Sequence, residues 1–72
     1  MEGFRKNSKK SLSFQEKKVL DLIVEGKTNK EIADELFVSI HTIKAHVQHI
    51  LKKLSVKSRV QAAVIASNQK NL

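Results

Sequence analysis

The stretch TNKEIADELFVSIHTIKAHVQHILKKL, residues 28–54, decides the fold of this chain. It contains two helix-start signals: Thr28 with Glu31 three residues later, and Ser39 ahead of a second periodic apolar run. Because the second signal follows so closely, the helix that begins at Thr28 must be short. We therefore predict two helices joined by a tight apolar turn at Phe37 and Val38, and we expect both side chains to fix the interhelical angle.

The helix after Ser39 is predicted to span residues 40–54 and to have two different faces. At 100° per residue its apolar side chains share one arc, which comprises Ile43, Val47, Ile50, Leu51 and Leu54. The opposite arc is small, polar or basic and contains no acid; it comprises His41, Thr42, Ala45, Gln48, His49 and Lys52, with Lys44 at its boundary. One face should therefore be anchored in a core and the other exposed.

Two further helices should flank this pair. Ser13 and Glu16 form a capping box that begins a first helix, and Gly26 is suited to end it because glycine adopts the left-handed conformation cheaply. Ser58 begins a last helix that is apolar most of the way round. The prediction is an all-α, four-helix helix-turn-helix domain over residues 12–72.

The remaining composition limits the class of protein. Residues 1–11, MEGFRKNSKKS, are polar and basic and are expected to be a flexible tail or a linker. No cysteine is present, so there is neither a disulfide nor a thiolate metal site. The chain has no apolar run long enough to span a bilayer and no secretory signal, which favours a cytoplasmic protein without a membrane partner.

Charge is distributed unevenly along the chain. The net charge is +7, yet all seven acidic residues lie within residues 1–35. The remainder carries six basic residues and no acid; these are Lys44, Lys52, Lys53, Lys57, Arg59 and Lys70. A basic half of this kind suits a polyanionic partner, although composition alone fits an ordinary basic surface equally well.

The second helix of a helix-turn-helix enters the major groove of DNA, so exposed residues early in it become candidate base readers. Lys44 can donate to guanine O6 or N7, and Gln48 can both donate to and accept from adenine. Ala45 is small enough to contact a thymine methyl group. The alternative is that all three are ordinary solvated residues.

Phosphate contacts should surround these three residues, because helix N-termini and lysines favour anions. The candidates are Thr28, Asn29, Lys30, Ser39, His41, Thr42 and Lys52, with Lys53 and Lys57 as further possibilities. Thr28 and Ser39 also serve as plain helix caps.

Histidines do not indicate a metal site. His46 and His49 are three residues apart, but His46 falls toward the inner flank of the helix while His49 points outward. Zinc requires convergent ligands, and no cysteine or neighbouring carboxylate completes a set. No metal or other cofactor is expected, and the chain has neither a glycine-rich phosphate loop nor paired acids in the context of a cleft, so we expect no enzyme.

The run GKTNKEIADELFVSIHTIKAHVQHILKKLSVKSR, within residues 12–66, resembles the LuxR/FixJ-type (GerE-like) helix-turn-helix domain of bacterial transcription regulators. Residues 42–64 are particularly similar to nitrate/nitrite-type response regulators, in which Val and Lys stand at the positions of Ala45 and Gln48. The resemblance implies a two-fold dimer on paired half-sites. It also implies base contacts from the positions of Lys44, Ala45 and Gln48.

The resemblance further assigns the dimer interface to the last helix, where the matching residues are Val60, Val64 and Ser67. Arg59 matches a family arginine that ties this helix to the first two, and we expect Glu31 or Glu16 to be its partner.

The sequence therefore favours sequence-specific binding of double-stranded DNA in bacterial transcription regulation. The chain would be the C-terminal output domain of a response regulator or a small stand-alone regulator, with RNA polymerase as a possible protein partner. Two alternatives stay open: a protein-interaction module of the same fold that docks through its last helix, and a promoter-recognition domain of the sigma-factor type.

Overall fold

The computed structural model describes residues 11–70, so the tail expected over residues 1–11 lies almost wholly outside the described part. Within it the chain forms four α-helices: α1 (Phe14–Val24), α2 (Asn29–Leu36), α3 (Ile40–Leu54) and α4 (Arg59–Lys70). The predicted all-α, four-helix class is confirmed. Among the described residues, no helix combines the length and apolar character needed to cross a bilayer.

Reciprocal capping boxes begin α1 and α2, as predicted. The Ser13 hydroxyl accepts a hydrogen bond from the Glu16 N–H at 3.1 Å, and the Glu16 carboxylate accepts one from the Ser13 N–H at 2.9 Å. Thr28 and Glu31 repeat the exchange at 3.1 and 2.8 Å. Each box satisfies backbone donors that have no partner within the helix, which sets the helix start.

The starts of α3 and α4 use single caps. The Ser39 hydroxyl accepts from the Thr42 N–H at 3.1 Å, and the Ser58 hydroxyl accepts from the Gln61 N–H at 3.2 Å. The Gln61 side chain returns to the N–H of Lys57, at 2.8 Å, rather than to that of Ser58. The returning bond at α4 is therefore shifted by one residue, and no complete capping box forms there.

The core lies where α3 contacts each of the other three helices, and α1 also packs on α4. Four large side chains are almost completely enclosed, namely Val19, Ile32, Ile43 and Ile50. The predicted inner arc of α3 is correct in its centre, because Ile43, Val47 and Ile50 are buried, whereas Leu51 and Leu54 are half-buried at the edge of the core. α3 is therefore held along its whole inner side.

The turn between α2 and α3 differs from the prediction at Phe37. This residue ends α2 in the left-handed conformation (φ 60°), and 93% of it is exposed. A left-handed C-cap reverses the chain and leaves its own side chain pointing outward, while Val38 packs against the core and donates its N–H to the Ala33 carbonyl at 3.0 Å. The interhelical angle is thus fixed by backbone hydrogen bonds and Val38, not by Phe37.

Arg59 joins α4 to the turn between α1 and α2, but through partners other than those expected. Its guanidinium donates to Asn29 Oδ1 at 2.6 Å and to the Lys27 carbonyl at 2.9 Å. Glu16 and Glu31 are not its partners, because each carboxylate caps the start of its own helix.

Candidate nucleic-acid interface

The three candidate base readers lie together on the outer side of α3. Lys44, Ala45 and Gln48 are all exposed, while Ile43 and Val47 beside them are buried. A shallow groove of about 470 Å³ runs along this side; its lining residues are Ala45, Gln48, His49, Leu51, Lys52 and Val56. The outer side of α3 is therefore a continuous accessible surface on a helix whose inner side is fixed.

The N-terminus of α3 differs from those of α1 and α2 in carrying no acid in its first turn. Its cap consists of hydroxyls only: Ser39 Oγ lies 3.1 Å from Thr42 Oγ1 and accepts the Thr42 N–H. Ser39 and His41 are exposed, and Thr42 is half-buried. Because no carboxylate occupies this terminus, the positive end of the helix dipole is available to an external anion.

The N-terminus of α2 already holds a carboxylate. The hydrogen bond from the Thr28 backbone N–H is the main cause of the lowered pKa of Glu31. Thr28 and Lys30 are exposed and Asn29 is half-buried. Lys30 Nζ lies 3.1 Å from Asp34 Oδ2, but both side chains are more than 70% exposed, so this pair is weak and Lys30 can turn to another anion.

Lys52 and Lys53 are adjacent but occupy different environments. Lys52 is exposed beside the groove on α3, whereas Lys53 Nζ donates to Glu16 Oε1 at 2.8 Å and to the Ser11 carbonyl at 3.3 Å. Lys53 therefore ties α3 to the start of α1, and Lys52 is the one of the two that is available for phosphate.

Glu16 is the one buried charged residue in the described part of the chain, at 5% exposure. Burial by itself would raise the pKa of its carboxyl, but the hydrogen bonds from Lys53 and from the Ser13 N–H outweigh that effect and lower the pKa. His49 Nδ1 also lies 3.8 Å from Glu16 Oε2. Sequence reasoning missed this pairing, because 37 residues separate Glu16 from Lys53 and no local pattern connects them.

On α4, the residues assigned to a dimer interface lie along one groove. Val60 is 68% and Val64 is 53% exposed, and Ser67 is half-buried. The groove, of about 490 Å³, lies between α4 and the end of α1; its lining includes Ile23, Gly26, Lys27, Arg59, Val60, Ala63, Val64, Ser67 and Asn68. Exposed valines in such a groove form an apolar surface that another protein surface could cover.

The histidines do not converge. His46 is half-buried and His49 exposed on α3, and over residues 11–70 no three histidine or acidic side chains are grouped to hold a metal ion.

Comparison with known proteins agrees with this geometry. Residues 10–66 match the family described as bacterial regulatory proteins, luxR family. The chain is 57% identical over 56 residues to the transcriptional regulatory protein LiaR of Bacillus subtilis. This match covers 78% of this chain and 26% of LiaR. It is 47% identical over 57 residues to the spore germination protein GerE of the same organism, covering 79% of this chain and 77% of GerE.

A third relative is the oxygen regulatory protein NreC of Staphylococcus carnosus, 46% identical over 61 residues, or 85% of this chain and 28% of NreC. The chain thus spans about a quarter of the length of LiaR and NreC and about three quarters of GerE. LiaR and NreC are both described as regulatory proteins. With the match covering α1 to α3 and most of α4, this chain belongs to the LuxR family of bacterial regulatory proteins and is a helix-turn-helix domain for DNA-binding transcription regulation.

Proposed function

We propose that this chain binds double-stranded DNA sequence-specifically, with the outer side of α3 in the major groove. One observation carries the proposal: α3 exposes Lys44, Ala45 and Gln48 on a surface without acids while its opposite side is buried against three helices. A rigid helix of this kind pays little entropy to present its side chains to base edges, and a major groove about 12 Å wide admits it.

The three base readers have distinct roles in this proposal. Lys44 donates to guanine O6 or N7, Gln48 pairs with the adenine edge, and Ala45 lets the helix sit deep or contacts a thymine methyl. Ala45 and Gln48 line the same groove on α3, so both face the DNA together.

Phosphate contacts hold the helix pair in register. The N-terminus of α3, which has no acid, takes one phosphate, and the N-terminus of α2 contacts the backbone where that helix crosses it. The contributing residues are Thr28, Asn29, Lys30, Ser39, His41, Thr42 and Lys52. Charge neutralisation by Lys30 and Lys52, together with Lys44, makes the affinity fall with rising salt concentration.

Dimerisation through α4 places two copies of α3 on paired half-sites. The exposed Val60 and Val64, with Ser67, form the apolar seam, and burial against a second copy removes both valines from water. A two-fold dimer of this kind reads an operator with two-fold symmetry.

The domain serves a bacterial transcription regulator in the cytoplasm, either as a C-terminal output domain or as a small regulator of its own. Relatives of both lengths support the two settings, since GerE is matched over most of its length and LiaR over about a quarter. RNA polymerase is the partner through which such a regulator would act.

The test is selection of bound duplexes from a random library, followed by affinity measurements on the enriched sequence. We expect a two-fold symmetric site, with weaker binding to a single half-site. Lys17→Ala is a charge-matched control for Lys44→Ala, because Lys17 is an exposed lysine on α1. If the selected duplexes showed no enriched sequence, the proposal of sequence-specific binding would be wrong.

A further inference from the structure

The contact between Arg59 and Asn29 joins the two proposed surfaces of the molecule. Arg59, half-buried at the first position of α4, lines the groove that holds Val60 and Val64. Its Nη1 lies 2.6 Å from Asn29 Oδ1, and its Nη2 lies 2.9 Å from the Lys27 carbonyl. Asn29 is the first residue of α2, the helix proposed to cross the DNA backbone.

The chemistry of the two side chains fixes the orientation of the Asn29 amide. A guanidinium has only donors, so the amide must turn its oxygen toward Arg59, and the amide nitrogen must lie on the opposite arm. Among the described residues, the hydrogen bond of the Asn29 side chain is made through Oδ1, which accepts from Arg59. The amide nitrogen is thereby left as a donor for an acceptor outside the domain.

We infer that Arg59 is a positioning residue that aims the Asn29 amide nitrogen at a DNA phosphate. The inference rests on the proposed binding of duplex DNA. An asparagine without this contact could flip and present its oxygen, which a phosphate would repel. Arg59 removes that alternative and so raises affinity without touching DNA itself.

Arginine suits this role better than lysine. Its planar fork reaches the Asn29 oxygen and the Lys27 carbonyl with two nitrogens at fixed spacing, so the amide cannot rotate without breaking one of the bonds. A lysine keeps the charge but bonds through a single flexible ammonium. Arg59→Lys should therefore loosen the orientation of the Asn29 amide while the net charge stays constant.

The first test follows the side-chain amide signals of the unmodified protein during titration with a short duplex of arbitrary sequence at low salt. Phosphate contacts carry no sequence information, so no operator is needed. We expect the Asn29 NH₂ signals to shift, and those of Gln15, an exposed glutamine on α1, to stay in place. Asn29 signals that do not move while backbone signals of α3 do would overturn the inference and leave the proposed function standing.

The second test is a double-mutant cycle on duplex affinity. Arg59→Lys and Asn29→Ala should each weaken binding about ten- to a hundredfold, as expected for one hydrogen bond to a charged group. The double variant should lose no more than either single one, because both changes remove the same contact. Losses that add would show that the residues act independently and would overturn the inference.

Thermal unfolding of each variant shows whether weaker binding comes from a changed orientation of Asn29 or from loss of the folded state. If Arg59→Lys fails to fold, the titration of the unmodified protein still decides. Absence of any duplex binding by the unmodified protein would reject the proposed function, and this inference with it.

Discussion

Removal of the Lys53 ammonium should destabilise the domain more than any other single change to an exposed or half-buried lysine. Lys53→Met leaves the Glu16 carboxylate, 5% exposed, with the Ser13 N–H as its nearest donor. Breaking a buried ion pair by removing one partner costs about 3–5 kcal/mol. Because the Lys53 side chain is 31% exposed, water can partly replace it, and we expect about 2–3 kcal/mol.

A loss of this size is large for a chain of 72 residues, whose free energy of unfolding should be about 4–11 kcal/mol. Urea unfolding followed by far-ultraviolet circular dichroism measures it directly. Lys52→Met is the matched control, since Lys52 is an exposed neighbour on the same helix, and we expect a change within about 0.5 kcal/mol.

The loss of stability in Lys53→Met should depend on pH through the ionisation of Glu16. The pKa of Glu16 is lowered in the folded protein, so its contribution to stability is present above the ordinary carboxyl pKa and is lost as the pH falls through the lowered value. Without Lys53, two of the effects that lower the pKa of Glu16 are lost, so this pKa rises relative to that in the unmodified protein and the variant is penalised most at neutral pH. The difference in free energy of unfolding between the Lys53→Met variant and the unmodified protein should therefore shrink as the pH falls.

Two titratable groups on α3 face Glu16. Lys53 supplies the charge that the substitution removes, and His49 Nδ1 lies 3.8 Å from Glu16 Oε2. A loss equal to that of Lys52→Met, or a difference in stability that is the same at neutral and at acid pH, would show that Lys53 does not stabilise the buried Glu16 carboxylate.

Three further predictions concern DNA binding, assembly and the turn. Lys44→Ala should cost about 1–3 kcal/mol of binding and relax the preference at one base pair, while Lys52→Ala should weaken all sequences alike; equal losses on every duplex would remove Lys44 from base reading. Val64→Asp should leave a folded monomer by circular dichroism but abolish cooperative binding to paired half-sites; unchanged cooperativity would exclude the α4 seam. Phe37→Asn should raise the free energy of unfolding by about 0.5–1 kcal/mol, because asparagine tolerates the left-handed backbone better than an exposed phenylalanine does; unfolding in urea at the same or a lower midpoint would contradict this.

The sequence was sufficient for the helix boundaries because these are determined locally. Ser13, Thr28 and Ser39 lie where side-chain oxygens meet free backbone donors, and α3 spans Ile40–Leu54 as predicted. The buried arc of α3 follows from periodicity alone, and so does the exposure of its other side.

Contacts between distant parts of the chain were not predictable in the same way. The pairing of Glu16 with Lys53 and that of Arg59 with Asn29 depend on how helices pack, and they join residues 37 and 30 positions apart. Phe37 was misassigned because an apolar residue in a turn usually packs inward, whereas the left-handed cap directs this one outward. The base-reading and phosphate-binding roles are still proposals that the exposed surface of α3 supports.

The most direct measurement is a nuclear magnetic resonance titration of the labelled domain with its selected duplex. We predict that the signals of Lys44, Ala45 and Gln48 move most and that those of the first turns of α2 and α3 move less. On a duplex that carries a single half-site, the signals of the apolar side of α4 should not move. Signals from those three residues that do not change while other surfaces respond would contradict the placement of α3 in the major groove.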